Sequence, residues 1–381
     1  MAMNEPLAQD YTVVWHNPDP EYYVEGSGLL NLGGGEWLGV VPVVPRGPWR
    51  HRRAEHSRTH LVRSEDGGAA WSKVSELPYY SAVPFRHEDA VYLFTMKGGT
   101  KLRNDDLLLL RSEDGGRSWS EPVTLFKGHL WNCHTSMAVR DNTIYWAVDD
   151  LSFGEPYFRG PVVVAGDLSR DLMSPDAWRM SNPVPFPGMP DMIKDPASRG
   201  SFGKWLEPNV IKVGERLRVL CAVRKTGICG VLDLEDDGRD ARLKFCQYHP
   251  MPGGQLKFCV AWDEASQLFW ATSNPLANSQ ELVGWSAYRP DPELVKGGDR
   301  RLLMLHYSLD GLNWFPAGCV ALAPKLTQSF NYATLAIDGG DLGVIARSNV
   351  NGPNPHDADC ATFHRVRGFR DLALPIVPEA V

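Results

Sequence analysis

The chain has 381 residues, of which 43% are hydrophobic and 22% charged, a composition typical of a globular protein. Its net charge of −7 and the lack of a long basic run argue against a nucleic-acid partner. No apolar run approaches the roughly 20 residues that span a membrane. The 7 cysteines include no Cys-x-x-Cys pair and no zinc-type spacing occurs, so we expect reduced buried thiols, no metal and no cofactor.

The first fifteen residues lack the charged and apolar regions of a signal peptide. The sequence as written therefore predicts a cytoplasmic protein. A secreted or periplasmic location is the expectation if a leader has been trimmed.

Pairs of apolar extended segments joined by a polar turn recur along the chain. In chain order these hairpins occupy residues 26–44, 81–96, 134–150, 207–225, 256–274 and 332–349. Periodicity of the helical kind is scarce throughout. The pattern predicts an all-β protein built from six similar units.

A short sequence motif recurs three times, each time directly after the apolar segment that follows one of these hairpins. "RSEDGGAAWS" (63–72) and "RSEDGGRSWS" (111–120) share Ser-x-Asp-Gly-Gly-x-x-Trp, and "SLDGLNW" (308–314) is a shorter copy. The aspartate accepts backbone N–H bonds in a turn, and glycine supplies positive φ. We interpret each copy as a hairpin turn with a structural role and not a catalytic one.

A repeat of roughly 45–50 residues is typical of a β-propeller. We predict a single six-bladed propeller domain over residues 1–381, with seven blades as the alternative. Segments 11–15 and 361–369 are expected to share one blade and close the ring. A Pro-, Met- and Gly-rich stretch at about 167–204 is expected to be a long inserted loop.

In a propeller the ends of the innermost strands surround a central pocket. The residues that open or close each unit are therefore candidates for a polar-substrate site. The openers are Glu25, Tyr80, His134, Glu207, Lys257 and Tyr332; the closers are Arg46, Lys97, Asp149, Asp150, Arg224, Asn274 and Arg347.

The repeats, together with "WLEPNVIKVGERLRVLCAVRKTG" (205–227) and "FNYATLAIDGGDLGVIARS" (330–348), resemble the sialidase superfamily of Asp-box propellers. The resemblance implies a nucleophilic Tyr332, ionised with the help of Glu207 acting as a base. It implies Arg224 and Arg301, with Arg300 as the near alternative, as a substrate clamp. A phenol with a pKa near 10 needs such a base to attack.

Two departures from that family predict a divergent member with a remodelled ligand. "YVEGSGLL" places Glu25 or Gly26 where the family has an arginine that binds the sugar carboxylate. The segment before the first repeat offers Glu55, His56, Arg58 and His60 in place of the family's acidic proton donor.

The residues themselves suggest further roles. His134 and Asp150 are candidates for proton transfer, because histidine titrates near neutral pH. Substrate binding is the expectation for Glu25, Asp149, Arg347, Asn274 and Arg46, the last of which begins the basic stretch 46–53. The cluster His356, Asp357 and Asp359 lacks the spacing of a metal site.

We therefore expect a carbohydrate-active enzyme: a sialidase-like exo-glycoside hydrolase that releases a terminal acidic sugar from an oligosaccharide or glycoconjugate. One alternative is a uronate lyase that uses His134, Tyr332 or Tyr145, and Arg224. The other is a non-catalytic glycan-binding propeller.

Overall fold

The chain folds into six antiparallel sheets arranged as the blades of a propeller. The computed structural model describes residues 5–46, 57–97, 106–152, 159–189, 204–224, 226–277, 300–352 and 354–377. The first strands of neighbouring sheets contact one another around a central axis. The six-bladed all-β architecture predicted from the sequence is confirmed.

The first strand, β1 (Thr12–His16), belongs to the sixth blade, and the following strands fill the blades in chain order. Blade one contains β2 (Tyr22–Val24), β3 (Gly28–Gly33), β4 (Glu36–Pro45), β5 (Arg58–Ser64) and β6 (Ser72–Leu77). Blade two contains β7 (Tyr80–His87), β8 (Ala90–Met96), β9 (Leu107–Ser112) and β10 (Val123–Phe126). Blade three contains β11 (Leu130–Trp131), β12 (Ala138–Arg140), β13 (Thr143–Asp150), β14 (Gly160–Asp167) and β15 (Trp178–Met180).

The second half of the chain follows the same plan. Blade four contains β16 (Trp205–Val213), β17 (Arg216–Val223), β18 (Ile228–Asp236) and β19 (Ala241–Pro250). Blade five contains β20 (Cys259–Asp263), β21 (Leu268–Ser273), β22 (Leu302–Ser308) and β23 (Phe315–Leu322). Blade six contains β24 (Ser329–Asp338), β25 (Asp341–Asn349), β26 (Cys360–Val366) and, at its outer edge, β1. Short 3-10 helices span Pro175–Ala177 and Phe369–Leu372.

The ring closes through the two ends of the chain. β1 pairs antiparallel with β26, with Thr12 opposite Phe363 and His16 opposite Cys360. Because β1 pairs with β26 of blade six and the chain then continues into blade one, the sixth blade is connected to the first and the ring is closed. The predicted sharing of one blade by the terminal segments is confirmed.

The repeated decapeptides form the turns between the third and fourth strands of blades one and two. In the first copy the Ser64 hydroxyl accepts the Gly68 N–H at 2.8 Å, and the Asp66 carboxylate accepts the Ala70 N–H at 2.9 Å. The Trp71 indole N–H donates to the Gly68 carbonyl at 3.1 Å. The second copy repeats these contacts. Because the aspartates are used by the turns, the structural interpretation of the motif fits the geometry.

Each turn also packs closely against the preceding blade. Gly68 has a φ of +93°, and a Cβ built on it would lie 2.2 Å from the ring of Phe363 in blade six. Gly116 has a φ of +89°, and its Cβ would lie 2.9 Å from Leu38 in blade one. Only glycine satisfies both the backbone conformation and the close approach between blades.

Replacing Gly68 with alanine should therefore destabilise the fold more than a positive φ alone explains. Gly33→Ala is a matched control, since Gly33 has a φ of +90° but open space around its Cβ position. We expect the control to lose about 1 kcal/mol of unfolding free energy. Gly68→Ala should lose a further ~1–3 kcal/mol from overpacking. Equal losses in denaturant titrations would contradict the proposed contact between blades.

The interior consists of apolar side chains between successive sheets, with Trp37, Trp146, Trp205 and Trp270 all fully buried. All seven cysteines are free, and five of them are buried. The described part of the predicted insertion at 167–204 contains the 3-10 helix and β15, so it supplies the outer strand of blade three; residues 190–203 lie outside the described part. No helix among the described residues is long and apolar enough to cross a membrane.

Candidate functional site

The face at which the innermost strands begin is here called the upper rim. Three non-glycine residues of these strands have positive φ: Ser81 (59°), Glu207 (48°) and Tyr332 (51°). Each coincides with a shift in register between the innermost strand and its neighbour. The three bulges lie at the upper rim of blades two, four and six. Strained bulges that re-aim a side chain cluster at functional sites.

Two of these bulge residues bond to each other across the axis. The Tyr332 hydroxyl donates to Glu207 Oε1 at 2.5 Å, although 125 positions separate them in the chain. Glu207 is 1% exposed, whereas Tyr332 is half-buried. The structure thus brings together the two residues that the sequence suggested as an activated pair.

Burial sets the proton affinities of this pair. It raises the pKa of the Glu207 carboxyl, while the Tyr332 hydrogen bond and the Arg159 charge act in the opposite direction. Burial also raises the pKa of the Tyr332 phenol well above its usual value, and the Glu207 charge raises it further. A carboxylate with a raised pKa is a stronger base, so Glu207 is suited to accept the phenolic proton.

A buried lysine holds the Tyr332 bulge in place. Lys257 is 1% exposed, and its Nζ donates to Tyr332 O at 3.3 Å, Ala333 O at 2.5 Å and Thr334 Oγ1 at 2.8 Å. These three acceptors use all three ammonium hydrogens. Lys257 therefore stabilises the unusual backbone that aims Tyr332 at Glu207.

Lys257→Met should lower the thermal stability of the protein. The substitution leaves buried acceptors unsatisfied, which costs about 1–3 kcal/mol per group. It also frees the Tyr332 backbone to relax from positive φ. Lys244→Met, at an exposed position of β19, is the control. Thermal unfolding of the two variants checks the prediction, and equal transition temperatures would contradict it.

Two arginines lie against the ring of Tyr332. The guanidinium of Arg300 is 5.3 Å and that of Arg347 is 5.2 Å from the ring centroid. Their exposures are only 3% and 2%. Arg300 Nη1 donates to Asn331 Oδ1 at 2.8 Å, and no carboxylate among the described residues forms an ion pair with either arginine.

The two cations affect each other. Burial and the Arg347 charge lower the pKa of Arg300 while Tyr332 and Glu207 raise it, and the resulting pKa is about 10. Buried cations that lack an anionic partner are costly. The arrangement is suited to an anionic ligand. Of the two adjacent arginines suggested by the sequence, it is the alternative, Arg300, that lies over Tyr332; Arg301 is half-buried beside it.

An ion pair stands behind Glu207. The Asp149 carboxylate, which is fully buried, accepts from Arg159 Nη1 at 2.8 Å and from the Glu207 N–H at 3.3 Å. Burial raises the Asp149 pKa, while Arg159 lowers it. Asp150 instead caps a turn, accepting from the Ser152 N–H at 2.9 Å and hydroxyl at 2.5 Å. This corrects the expected division of roles, because Asp149 and not Asp150 contacts the site.

Glu25 is fixed by two tyrosines. It is 6% exposed and accepts from the Tyr23 hydroxyl at 3.0 Å and the Tyr80 hydroxyl at 3.2 Å. A Cβ on the next residue, Gly26, would lie 3.1 Å from Tyr332 Cδ1. The backbone of blade one at Gly26 therefore lies against the Tyr332 ring, and the neighbouring Glu25 carboxylate is held by Tyr23 and Tyr80.

His134 has a main-chain partner instead of a proton-transfer partner. Its Nδ1 accepts the Leu29 N–H at 3.2 Å. Burial, with a smaller contribution from the Lys257 charge, lowers its pKa to about 3. The neutral imidazole is strongly favoured, which makes His134 a poor proton donor at neutral pH. Tyr145, the other tyrosine suggested for a lyase, donates to Asp236 at 2.7 Å.

Three other candidates from the sequence show no link to the Tyr332–Glu207 pair. Two of them bond to neighbouring parts of the fold, and the third makes no side-chain bond to a described residue. Asn274 uses its amide to donate to two main-chain carbonyls at 2.8 Å, which leaves neither amide hydrogen for a ligand. Arg46 pairs with Asp357 at 3.5 Å and donates to the Tyr22 carbonyl. Arg224 is half-buried at the end of β17, and within the described residues its side chain makes no hydrogen bond or ion pair. Residues 47–53 of the basic stretch, and also Glu55 and His56, lie outside the described part of the chain.

The sequence did not single out Arg159 or the roles of Lys257 and the His356–Asp357 pair. Arg159 directly precedes the apolar strand β14, which starts at the upper rim. The sequence analysis considered only the residues that open or close the first two strands of each unit. Extending it to the residue before the third strand would have included Arg159. Among the described residues no group of three His, Cys, Asp or Glu side chains is arranged to hold a metal ion.

No family model matches the chain, and no curated protein matches its sequence. The structure is similar to an alpha-L-arabinanase from Penicillium chrysogenum complexed with arabinobiose, with a TM-score of 0.58 and 12% identity over 95% of this chain and 99% of that one. It is similar to an alpha-L-arabinofuranosidase from Fusarium graminearum in complex with an iminosugar inhibitor, with a TM-score of 0.57 and 11% identity over 94% and 98%.

A sialidase from Trypanosoma rangeli in complex with sialic acid matches with a TM-score of 0.56 and 13% identity, over 92% of this chain and 55% of that one. All three of these neighbours are glycoside hydrolases. The chain therefore has the six-bladed propeller fold that these sialidases, arabinanases and arabinofuranosidases share, which confirms at the level of fold the resemblance seen in its repeats.

Proposed function

We propose that this protein is a glycoside hydrolase that releases a terminal acidic sugar from an oligosaccharide or glycoconjugate. The observation that carries the proposal is the half-buried Tyr332, whose hydroxyl is bonded to the buried carboxylate of Glu207. A tyrosine paired with a base is a nucleophile that forms a covalent intermediate without a cofactor.

The first chemical step follows from this pair. Glu207 takes the phenolic proton as the Tyr332 oxygen bonds to the anomeric carbon, and the bond from that carbon to the leaving oxygen breaks. The leaving oxygen takes a proton from a general acid. In the second step water attacks the anomeric carbon and gives a proton to the conjugate base of the general acid, the bond to Tyr332 breaks, and Glu207 returns its proton to the phenolate.

The acidic character of the sugar is inferred from Arg300 and Arg347. These buried guanidiniums lie on the ring of the proposed nucleophile and lack carboxylate partners among the described residues. A sugar carboxylate would neutralise them at the place where the anomeric carbon must bind. Glu25, held by two tyrosine hydroxyls, is suited to accept hydrogen bonds from sugar hydroxyls.

The test is a panel of oligosaccharides ending in sialic acid, in a uronic acid or in neutral arabinose, followed by released reducing sugar and by ultraviolet absorbance. We expect release of an acidic monosaccharide with no new absorbance. Preferential cleavage of the neutral arabinosides would contradict the acidic specificity.

The same panel separates the alternatives. A uronate lyase would give a product with a conjugated double bond, which absorbs in the ultraviolet. The arginine pair beside a tyrosine hydroxyl also suits that reaction, since it would stabilise the negative charge that develops next to the carboxylate. Retention of a glycan without any release would identify a binding protein.

A further inference from the structure

A side-chain pair outside the proposed nucleophile and clamp lies at the same rim of blade six. Because β25 runs antiparallel to β24, with Ser329 opposite Asn349, the loop after β25 returns to the end of the blade near Tyr332. This loop carries His356 and Asp357. The chemistry described above uses neither residue, yet its first step still lacks a general acid.

The histidine is oriented by the neighbouring aspartate. His356 Nδ1 lies 2.7 Å from Asp357 Oδ1. Asp357 Oδ2 accepts from Asn354 Nδ2 at 3.2 Å and pairs with Arg46 Nη1 at 3.5 Å. Asn354 Oδ1 accepts the main-chain N–H groups of His356 and Asp357 at 2.9 and 2.8 Å. The loop therefore fixes the position of the imidazole, whose Nδ1 also lies 3.3 Å from Arg347 Nη2.

The same histidine is joined to the proposed site. Arg347 Nη2 donates to the His356 carbonyl oxygen, and the Arg347 guanidinium lies 5.2 Å from the ring centroids of both Tyr332 and Tyr23. The His356 ring is 5.9 Å from that of Tyr23. The His356 side chain is 27% exposed, and its second nitrogen, Nε2, bonds to no described residue. An oriented and accessible nitrogen thus stands beside the anion clamp.

We propose that His356, oriented by Asp357, is the general acid and base of the proposed glycosidase. The inference rests on the proposed function. In the first step Nε2–H of the imidazolium donates its proton to the leaving oxygen as that oxygen separates from the anomeric carbon. In the second step the neutral Nε2 takes a proton from the attacking water, which restores the imidazolium. The proton moves through Nε2, while the Asp357 carboxylate beside Nδ1 stabilises the imidazolium that forms in each cycle.

Binding of an anion would supply the required protonation. In the free protein burial and the charges of Arg347 and Arg300 lower the His356 pKa while Asp357 raises it, and the resulting pKa is about 4. These groups face the ring from β25, from the segment before β22 and from its own loop, while Arg46 at the end of β4 pairs with Asp357. A carboxylate held by the two arginines cancels their field. This removes one of the causes that lower the His356 pKa, so a bound anionic substrate favours the protonated imidazole.

The test compares leaving groups on one sugar. The probes are the para-nitrophenyl and methyl glycosides of N-acetylneuraminic acid and of glucuronic acid, with kcat/KM measured for wild type and His356→Gln. A nitrophenolate leaves without a proton, whereas methanol requires one. We expect His356→Gln to lose about 100-fold or more on the methyl glycoside and less than ~10-fold on the nitrophenyl glycoside. His134→Gln is the matched control and should show no such dependence on the leaving group.

Equal losses on both glycosides would overturn the assignment of His356 while leaving the proposed function intact. Asp357→Asn, which retains a hydrogen-bonding side chain but removes the charge, is the second variant. We expect Asp357→Asn to lose less kcat/KM than His356→Gln does, again with a larger loss on the methyl than on the nitrophenyl glycoside. A ratio of the two kcat/KM values equal to that of the wild type would also overturn the assignment. Wild-type protein that cleaves none of the four glycosides would overturn the proposed function and this inference with it.

Discussion

Tyr332→Phe should abolish turnover, with a loss of at least about 1000-fold in kcat/KM. The substitution removes only the hydroxyl oxygen that is proposed to attack the anomeric carbon. The aromatic ring remains, so the contacts with Arg300 and Arg347 are retained. Rates are measured on the best glycoside from the panel, and the thermal transition is recorded in parallel.

The chain offers a matched control for that loss. Tyr145 is also buried and also donates its hydroxyl to a carboxylate, Asp236, at 2.7 Å, but it lies outside the site. Tyr145→Phe should cost about 1 kcal/mol of stability, as any lost buried hydrogen bond does, and should leave kcat/KM within about twofold. A Tyr332→Phe variant that keeps wild-type activity would show that another group attacks the sugar.

Glu207→Gln should lower kcat/KM by about 100- to 1000-fold. The amide is isosteric and its oxygen still accepts from the Tyr332 hydroxyl, but it does not take up the proton. The base must be ionised to act, so activity falls as pH drops through the Glu207 pKa. Since burial raises that pKa, the acid limb of the wild-type profile should lie above the ordinary range of a glutamate.

The pH profile separates loss of a base from structural damage. In Glu207→Gln the acid limb due to Glu207 should disappear from the residual activity, whereas misfolding would scale the whole profile without changing its shape. Glu235→Gln, at an exposed position of β18, is the control and should leave both rate and profile unchanged. A Glu207→Gln variant with the wild-type profile would rule out Glu207 as the titrating base.

The fold was accessible from the sequence because its signals are local and repeated. The turn motif at Asp66 and Asp114 uses hydrogen bonds within a few residues of the chain. Alternation and turn chemistry then locate every hairpin, and repetition fixes the architecture. The pairing of Glu207 with Tyr332 came from the resemblance to a known superfamily and not from the spacing of the residues.

The details of the site were less accessible because they depend on strand register. Asp149 and Asp150 are adjacent in β13, so their side chains point to opposite sides, and only the register decides which one is buried. The choice between Arg300 and Arg301 at the start of β22 is of the same kind. The bulges at Glu207 and Tyr332 add a residue to the strand, which no periodic pattern reveals.

Loop-borne contacts were hidden for a different reason. His356 reaches the site because Arg347 and Asn354 hold its loop against blade six, and such tertiary hydrogen bonds leave no periodic trace in the sequence. Lys257 opens blade five, but its function depends on the backbone of Tyr332 in blade six. Residues that act through a neighbouring blade become visible only when the ring is assembled.

The central claim is that Tyr332, activated by Glu207, forms a covalent bond to the sugar. The most direct measurement is mass spectrometry of protein quenched during turnover of the para-nitrophenyl glycoside that the wild type cleaves, followed by proteolytic mapping of the adduct. The account predicts one glycosyl residue attached to the peptide that contains Tyr332, and no adduct in Tyr332→Phe. A glycosyl adduct on another side chain would contradict it.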